Sequence, residues 1–119
     1  MKTKRLRIVV RSISEVSAEW KRALAGRKKH IQRGNEIILT PETAARVFSK
    51  TRLEILKLIL SQKPQSINEI AKLVRRDFKA VHTDIKLLHE IGLIHLKIGV
   101  QNRLKPTAKF SGIELDLAA

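Results

Sequence analysis

Cysteine is absent from this chain of 119 residues. Disulfide staples and thiol catalysis are therefore excluded, and the lack of thiolates argues against a zinc ribbon. Aromatic residues are almost as scarce: three Phe, one Trp and no Tyr. That leaves little material for the stacking platforms that grip single-stranded nucleic acid. No apolar run approaches the length that crosses a bilayer, and residues 8–10 are too short for the core of a secretory signal. The expected setting is thus intracellular, in the cytoplasm and off the membrane. Internal repeats and low-complexity segments are missing too. So are a Gly-rich phosphate loop, a nucleophile elbow and a kinase signature. The four histidines, His30, His82, His89 and His95, are scattered without metal-ligand spacing. The carboxylates fit helix caps and surface pairs better than a catalytic dyad. The expectation is a protein without enzymatic activity, cofactor or bound metal.

What the chain has in excess is positive charge. Twenty-five Lys and Arg stand against eleven Asp and Glu, a formal net charge of +14. Such a balance says little about fold but points to a polyanionic partner. Residues 1–36 hold eleven bases and three acids, residues 37–119 fourteen and eight, so the excess is not confined to a tail. With few aromatics, duplex DNA is the polyanion of choice. A merely basic surface is the plainer reading of the same charge. Hydrophobic content of 43% is enough for one folded core.

Along the chain, Leu6, Ile8 and Val10 alternate with Arg7, Val9 and Arg11, which predicts a strand with one basic face. Ser12 and Glu15 fit a capping box, and Ile13, Val16, Trp20 and Leu24 recur at helical spacing up to Gly26. The segment 27–34 reads as a basic connector, more plausibly a solvated loop than a phosphate-binding one. Residues 37–39 read as a brief strand or extended entry. Thr40-Pro41-Glu42 then starts a helix that runs to about Phe48. Ser49 or Thr51 caps the next, with Leu53, Leu56, Leu58, Ile59 and Leu60 as its apolar face and Pro64 as its end.

Residues 66–92 carry the sharpest pattern. Ser66-Ile67-Asn68-Glu69 is a second capping box, opening a short helix with Ile67, Ile70, Ala71 and Val74 on its buried side. Arg75 and Arg76 interrupt it, and Asp77 can cap a longer helix from Phe78. There Val81, Ile85, Leu88 and Ile91 form one stripe, and Gly92 sits where a left-handed residue is wanted. A short helix, a tight turn and a longer helix make a helix-turn-helix. On the outer side lie Lys79, His82, Thr83 and Lys86. Lys79 can donate to guanine acceptors, and His82 and Thr83 are short enough to read bases. Arg75, Arg76 and Lys86 suit phosphates. A solvated basic face is the alternative, and helical spacing alone does not separate the two. Asp84 fits the DNA reading badly, and pairing with Arg52 would resolve it.

After the helix, residues 93–97 read as a strand, Gly99 to Asn102 as a turn, and Arg103-Leu104-Lys105 as a returning strand stopped by Pro106. A hairpin here is the wing of a winged helix. Lys97, Gln101, Asn102, Arg103 and Lys105 edge it, suited to phosphates or the minor groove.

Taken together, several runs resemble a group of short archaeal and bacterial winged-helix regulators. They are Phe48-Ser49-Lys50-Thr51-Arg52-Leu53-Glu54, Ser66-Ile67-Asn68-Glu69-Ile70-Ala71, Arg76-Asp77-Phe78-Lys79-Ala80-Val81-His82-Thr83-Asp84 and Gly92-Leu93-Ile94. The group relates broadly to multiple-antibiotic-resistance repressor-like proteins. The resemblance covers roughly residues 37–117 and weakens through the N-terminal strand and helix. It implies a dimeric, sequence-specific DNA binder, and some relatives are antitoxins that repress their own operon. Residues 113–117 look like the group's last strand. The expected architecture is therefore α+β: a winged helix-turn-helix over 37–119, with an added strand, helix and basic connector over 1–36. The N-terminal strand and helix, with Trp20 and Leu24, would either form the interface of a homodimer or cover the core of their own subunit. A repressor is the leading function. The alternatives are an antitoxin with a toxin partner, and an RNA-binding or ribosome-associated winged-helix protein.

Overall fold

The alternation at the N-terminus makes a strand because one set of its side chains can be buried while the arginines stay in water. In the computed structural model, which describes residues 5–12, 18, 22 and 30–117, β1 spans Arg5–Val10. Leu6 and Ile8 are buried, and Arg5 and Arg7 are exposed. Of the helix expected after Ser12, Ala18 and Arg22 are described, both helical. Its stripe of Ile13, Val16, Trp20 and Leu24, its Gly26 stop and residues 27–29 lie outside the described residues.

The chain forms two compact units, one of residues 1–46 with 110–119 and one of residues 47–109. The division expected from the sequence falls after residue 36; in the first unit, strands from both ends of the chain share a sheet. In the first unit, β2 (His30–Arg33), β3 (Glu36–Leu39), β1 and β6 (Gly112–Asp116) lie in the order β2-β3-β1-β6. β1 runs parallel to β3 and to β6, with Ile8 aligned between Ile37 and Leu115. Part of the supposed loop is thus a strand. Residues 30–33 pair antiparallel with β3 across a two-residue turn in which Gly34 takes φ +59°, a conformation glycine adopts without a Cβ penalty.

The basic face expected on β1 is largely neutralised by its neighbours. Arg5 pairs with Glu114 at 3.0 Å, and Arg7 pairs with Glu36 at 4.0 Å and with Asp116. Helix α1, Pro41–Val47, starts as expected, with the Thr43 N–H donating to the Thr40 hydroxyl oxygen at 3.3 Å.

The second unit opens with α2, Lys50–Gln62, capped by Ser49, whose hydroxyl accepts from the Arg52 N–H at 3.3 Å. Lys63 takes the left-handed conformation just before Pro64 and ends the helix. Ile55, Leu56 and Ile59 are its buried residues. Leu53, expected in that stripe, is 45% exposed. The centre of the stripe passes through Arg52, and the next residue lies about 100° round the helix, at the stripe's margin.

α3, Ile67–Val74, is capped by Ser66, whose hydroxyl accepts from the Glu69 N–H at 3.1 Å. The Glu69 carboxylate reaches one residue further back than a standard capping box, to the N–H of Gln65 at 3.1 Å. Left-handed Arg75 closes the helix, with its N–H directed to the Ala71 and Lys72 carbonyls. α4, Phe78–Ile91, follows with Asp77 as cap and Gly92, at φ 95°, as its stop. Val81, Ile85, Leu88 and Ile91 are all buried. Each contributes roughly 1.5–3 kcal/mol of hydrophobic stabilisation, which fixes the orientation of the opposite face.

Leu93 and Ile94, expected within the next strand, are fully buried just ahead of it. β4 (His95–Ile98) pairs antiparallel with β5 (Leu104–Thr107). Pro106 lies inside β5 instead of stopping it. The Gly99 N–H donates to the Arg103 carbonyl at 2.7 Å, and bonded pairs alternate along an antiparallel ladder. Pro106, opposite Leu96, therefore falls at a position where no N–H is needed toward the partner strand. The described residues form an α+β protein, and none of their helices is long and apolar enough to cross a membrane.

Candidate functional site

In the second unit, burying one stripe of α4 leaves Lys79, His82, Thr83 and Lys86 exposed on the other side. Each is held differently. The Lys79 N–H is fixed by the Asp77 carboxylate at 3.1 Å, so its side chain leaves from the capped first turn. The His82 ring lies 5.9 Å from the ring of Phe78, one helical turn earlier. The Thr83 hydroxyl donates to the Lys79 carbonyl at 3.0 Å, which spends its proton and leaves its lone pairs free to accept. Among these four side chains the structure thus offers both a cationic donor and a hydroxyl acceptor to an incoming partner.

The two arginines of the turn separate in role. Arg75 is exposed and left-handed, at φ 56°. Arg76 is turned inward, with Nη1 donating to Asp84 Oδ2 at 2.7 Å. The other Asp84 oxygen accepts from Arg52 Nε at 3.1 Å. The expected Arg52–Asp84 pair is present, and Arg76 joins it. The Asp84 side chain is 8% exposed, against 22% for Arg52 and 30% for Arg76. One buried anion between two cations leaves the cluster with a net positive charge.

Across the hairpin, Lys97 stands directly opposite Lys105. Like charges in that relation repel, and an anion between them relieves the repulsion. At the tip, Gln101 and Asn102 both take φ 58°, and the Arg103 N–H donates to the Val100 carbonyl at 3.1 Å. Arg103 then reaches the hollows that flank the start of α3. One, of about 370 Å³, is lined by Ser66, Ile67, Asn68, Phe78, His82, Arg103 and Leu104. The second, of about 260 Å³, brings Gln101 and Arg103 together with Lys72 and Glu69. His82 and Arg103, 21 positions apart, therefore share one concave surface.

The HVO_A0114 family matches residues 47–115. The chain belongs to the HVO_A0114 family. The HVO_A0114 match takes in the whole second unit, so all the residues described above fall within it. No curated protein matches the chain.

Exposed apolar side chains in the same region went unnoticed in the sequence. Phe78 is 47% exposed at the start of α4, and Ile98 and Val100 are 76% and 70% exposed near the hairpin tip. Phe78 follows a helix cap, where a side chain in the first turn often projects from the body of the fold. That position was the available signal. Among the described residues, no group of three or more His, Asp or Glu lies together as a metal site would require.

Proposed function

We propose that the HVO_A0114-family unit of this chain is a winged helix-turn-helix that binds duplex DNA and regulates transcription, as a repressor. α3 and α4 are its two helices, α4 is the recognition helix, and the β4–β5 hairpin is the wing. The observation that carries this reading is the division of α4. Its apolar stripe is buried, while Lys79, His82, Thr83 and Lys86 face outward, and its start shares a hollow with Arg103 of the hairpin.

A recognition helix needs that arrangement. The N-terminal half of α4 meets base edges in the major groove, and cations on either side meet phosphates. Lys79 suits the acceptors of guanine. His82 and the lone pairs of Thr83 suit neighbouring base edges. Arg75, Lys86, Lys97, Arg103 and Lys105 supply phosphate contacts. Arg76 acts chiefly as a structural strut, with Asp84 neutralised where the helix approaches the backbone. The net charge of +14 draws the protein to any polyanion, so affinity alone does not establish specificity.

The test is binding of the purified protein to the duplex upstream of its own gene, beside a scrambled duplex and a structured RNA, across a salt series. Preference for the upstream duplex that persists as salt rises supports the reading. Equal affinity for every duplex, lost together with salt, reduces the protein to a nonspecific cation. Preference for the RNA replaces the DNA reading with an RNA-binding one.

A further inference from the structure

The hairpin bears an apolar face that phosphate contacts do not explain. Ile98 is 76% exposed, and its cross-strand partner Leu104 is 40% exposed. The next pair toward the base, Leu96 and Pro106, is half-buried and buried. One apolar row thus starts in the core and runs out into solvent. Beyond it Val100, 70% exposed, sits at the turn. Strand alternation puts Lys97 and Lys105 on the reverse face. From residue 91 to residue 113 the chain holds no acid.

An exposed apolar tip fits a protein surface, a lipid interior or a stack of bases. Cations on the reverse face and the absence of acids select an anionic partner. The amides of Gln101 and Asn102, held at the apex by two left-handed residues, separate the remaining cases. Amides at the leading edge are costly to place in lipid, yet they match the acceptors along the floor of the minor groove. The tip is also narrow, closed by the bond from the Arg103 N–H to the Val100 carbonyl at 3.1 Å.

We propose that Ile98 and Val100 form a wedge that enters the minor groove of duplex DNA, parts one base step and bends the duplex. The proposal rests on the DNA-binding reading and deepens it. Lys97 and Arg103 hold the phosphates on the two sides of the opened step, and Gln101 and Asn102 contact base edges. Unstacking is easiest at flexible pyrimidine–purine steps. The protein therefore selects such a step at a set distance from the bases read by α4, without any bond that identifies it.

The test uses the full chain and a duplex of roughly 30 base pairs whose A·T-rich centre is broken by one TpA step. Dyes at the two ends report bending, 2-aminopurine at the step reports unstacking, and anisotropy reports binding. On binding, the native protein is expected to raise both the energy transfer between the dyes and the 2-aminopurine fluorescence. The double variant Ile98→Ser, Val100→Ser removes only well-exposed side chains, and an unchanged thermal midpoint checks that it folds. It is expected to bind about tenfold more weakly, with an unchanged salt slope and neither optical signal. Arg103→Gln is expected to do the reverse, keeping both signals at saturation while lowering the salt slope.

Native protein that binds by anisotropy but leaves both signals flat overturns the wedge and spares the DNA reading. So does a serine variant that bends the duplex as the native protein does. Absence of binding at low salt overturns the DNA reading itself. Tighter binding to vesicles of mixed phosphatidylserine and phosphatidylcholine than to duplex, lost in the serine variant, assigns the tip to membranes and overturns the wedge.

Discussion

Arg76 and Asp84 are joined by a 2.7 Å bond that ties the turn before α4 to the second turn of the helix itself. With Arg52 on the other carboxylate oxygen, one carboxylate holds α2, the turn and α4 together. The acid that fits DNA binding poorly by charge is thereby the residue that holds the exposed face in place.

Replacing Asp84 by Ala leaves Arg52 and Arg76 facing each other in a partly buried site. Removing one partner of a buried pair is strongly destabilising, and the partial exposure of both arginines moderates the effect. Urea denaturation is expected to show a loss of about 2 kcal/mol, with Asp84→Asn losing less. A loss no larger than that of an ordinary surface substitution would show that the cluster contributes nothing.

On α4, the proposed base readers and phosphate contacts should behave differently. Lys79→Ala and His82→Ala are each expected to cost roughly 1–3 kcal/mol on the preferred duplex and much less on random DNA. Arg103→Ala is expected to weaken binding to all duplexes alike and to lower the salt slope by about 1. Equal losses on preferred and random DNA for Lys79→Ala would remove it from the base readers.

For the facing lysines of the hairpin, folding and binding are expected to move in opposite directions. Lys105→Glu turns a repulsive cross-strand pair with Lys97 into an attractive one, worth roughly 0.2–1 kcal/mol. The same change should weaken duplex binding and reduce its salt dependence. Thermal denaturation and a binding titration on one sample check both halves. A variant that loses both stability and binding would show that Lys105 matters chiefly through its packing.

Burial lowers the pKa of His95 from its ordinary value of 6.5, and the nearby Lys109, His89 and Lys97 push it in the same direction. The unfolded chain then takes up a proton that the folded chain resists. The contribution is fully present above about pH 6.5 and is lost as pH falls through the lower folded value. His95→Gln is expected to flatten this part of the stability profile between about pH 5 and pH 7. Thermal midpoints of both proteins across that range provide the measurement, and parallel profiles would exclude His95 as the source.

Local patterns were the legible part of this fold. Ser49, Ser66, Asp77 and Gly92 act where their spacing to the following or preceding helix places them. The stripe from Val81 to Ile91 is buried as its periodicity demands. The Arg52–Asp84 pair was also legible, since an acid on a basic helix face needs a neighbouring cation. What escaped was non-local. Residues 30–33 lack strand periodicity and become a strand through β3. One of the two partners of β1, β6, lies more than a hundred residues downstream. Leu96, Ile98 and Val100 share the alternation of a buried strand face. Their emergence into solvent depends on how far the hairpin extends beyond the helices, a distance that alternation does not encode.

The parallel pairing of β1 with β6 also sets an order on synthesis. Residues 47–109 have the pairings and packing of their unit within one continuous stretch, and they can complete it while the chain is still leaving the ribosome. β1 emerges before that stretch but waits for residues 112–116 before its second edge is covered. Until then it offers a growing polypeptide an unpaired edge, and a strand made before the second unit is sealed only after it.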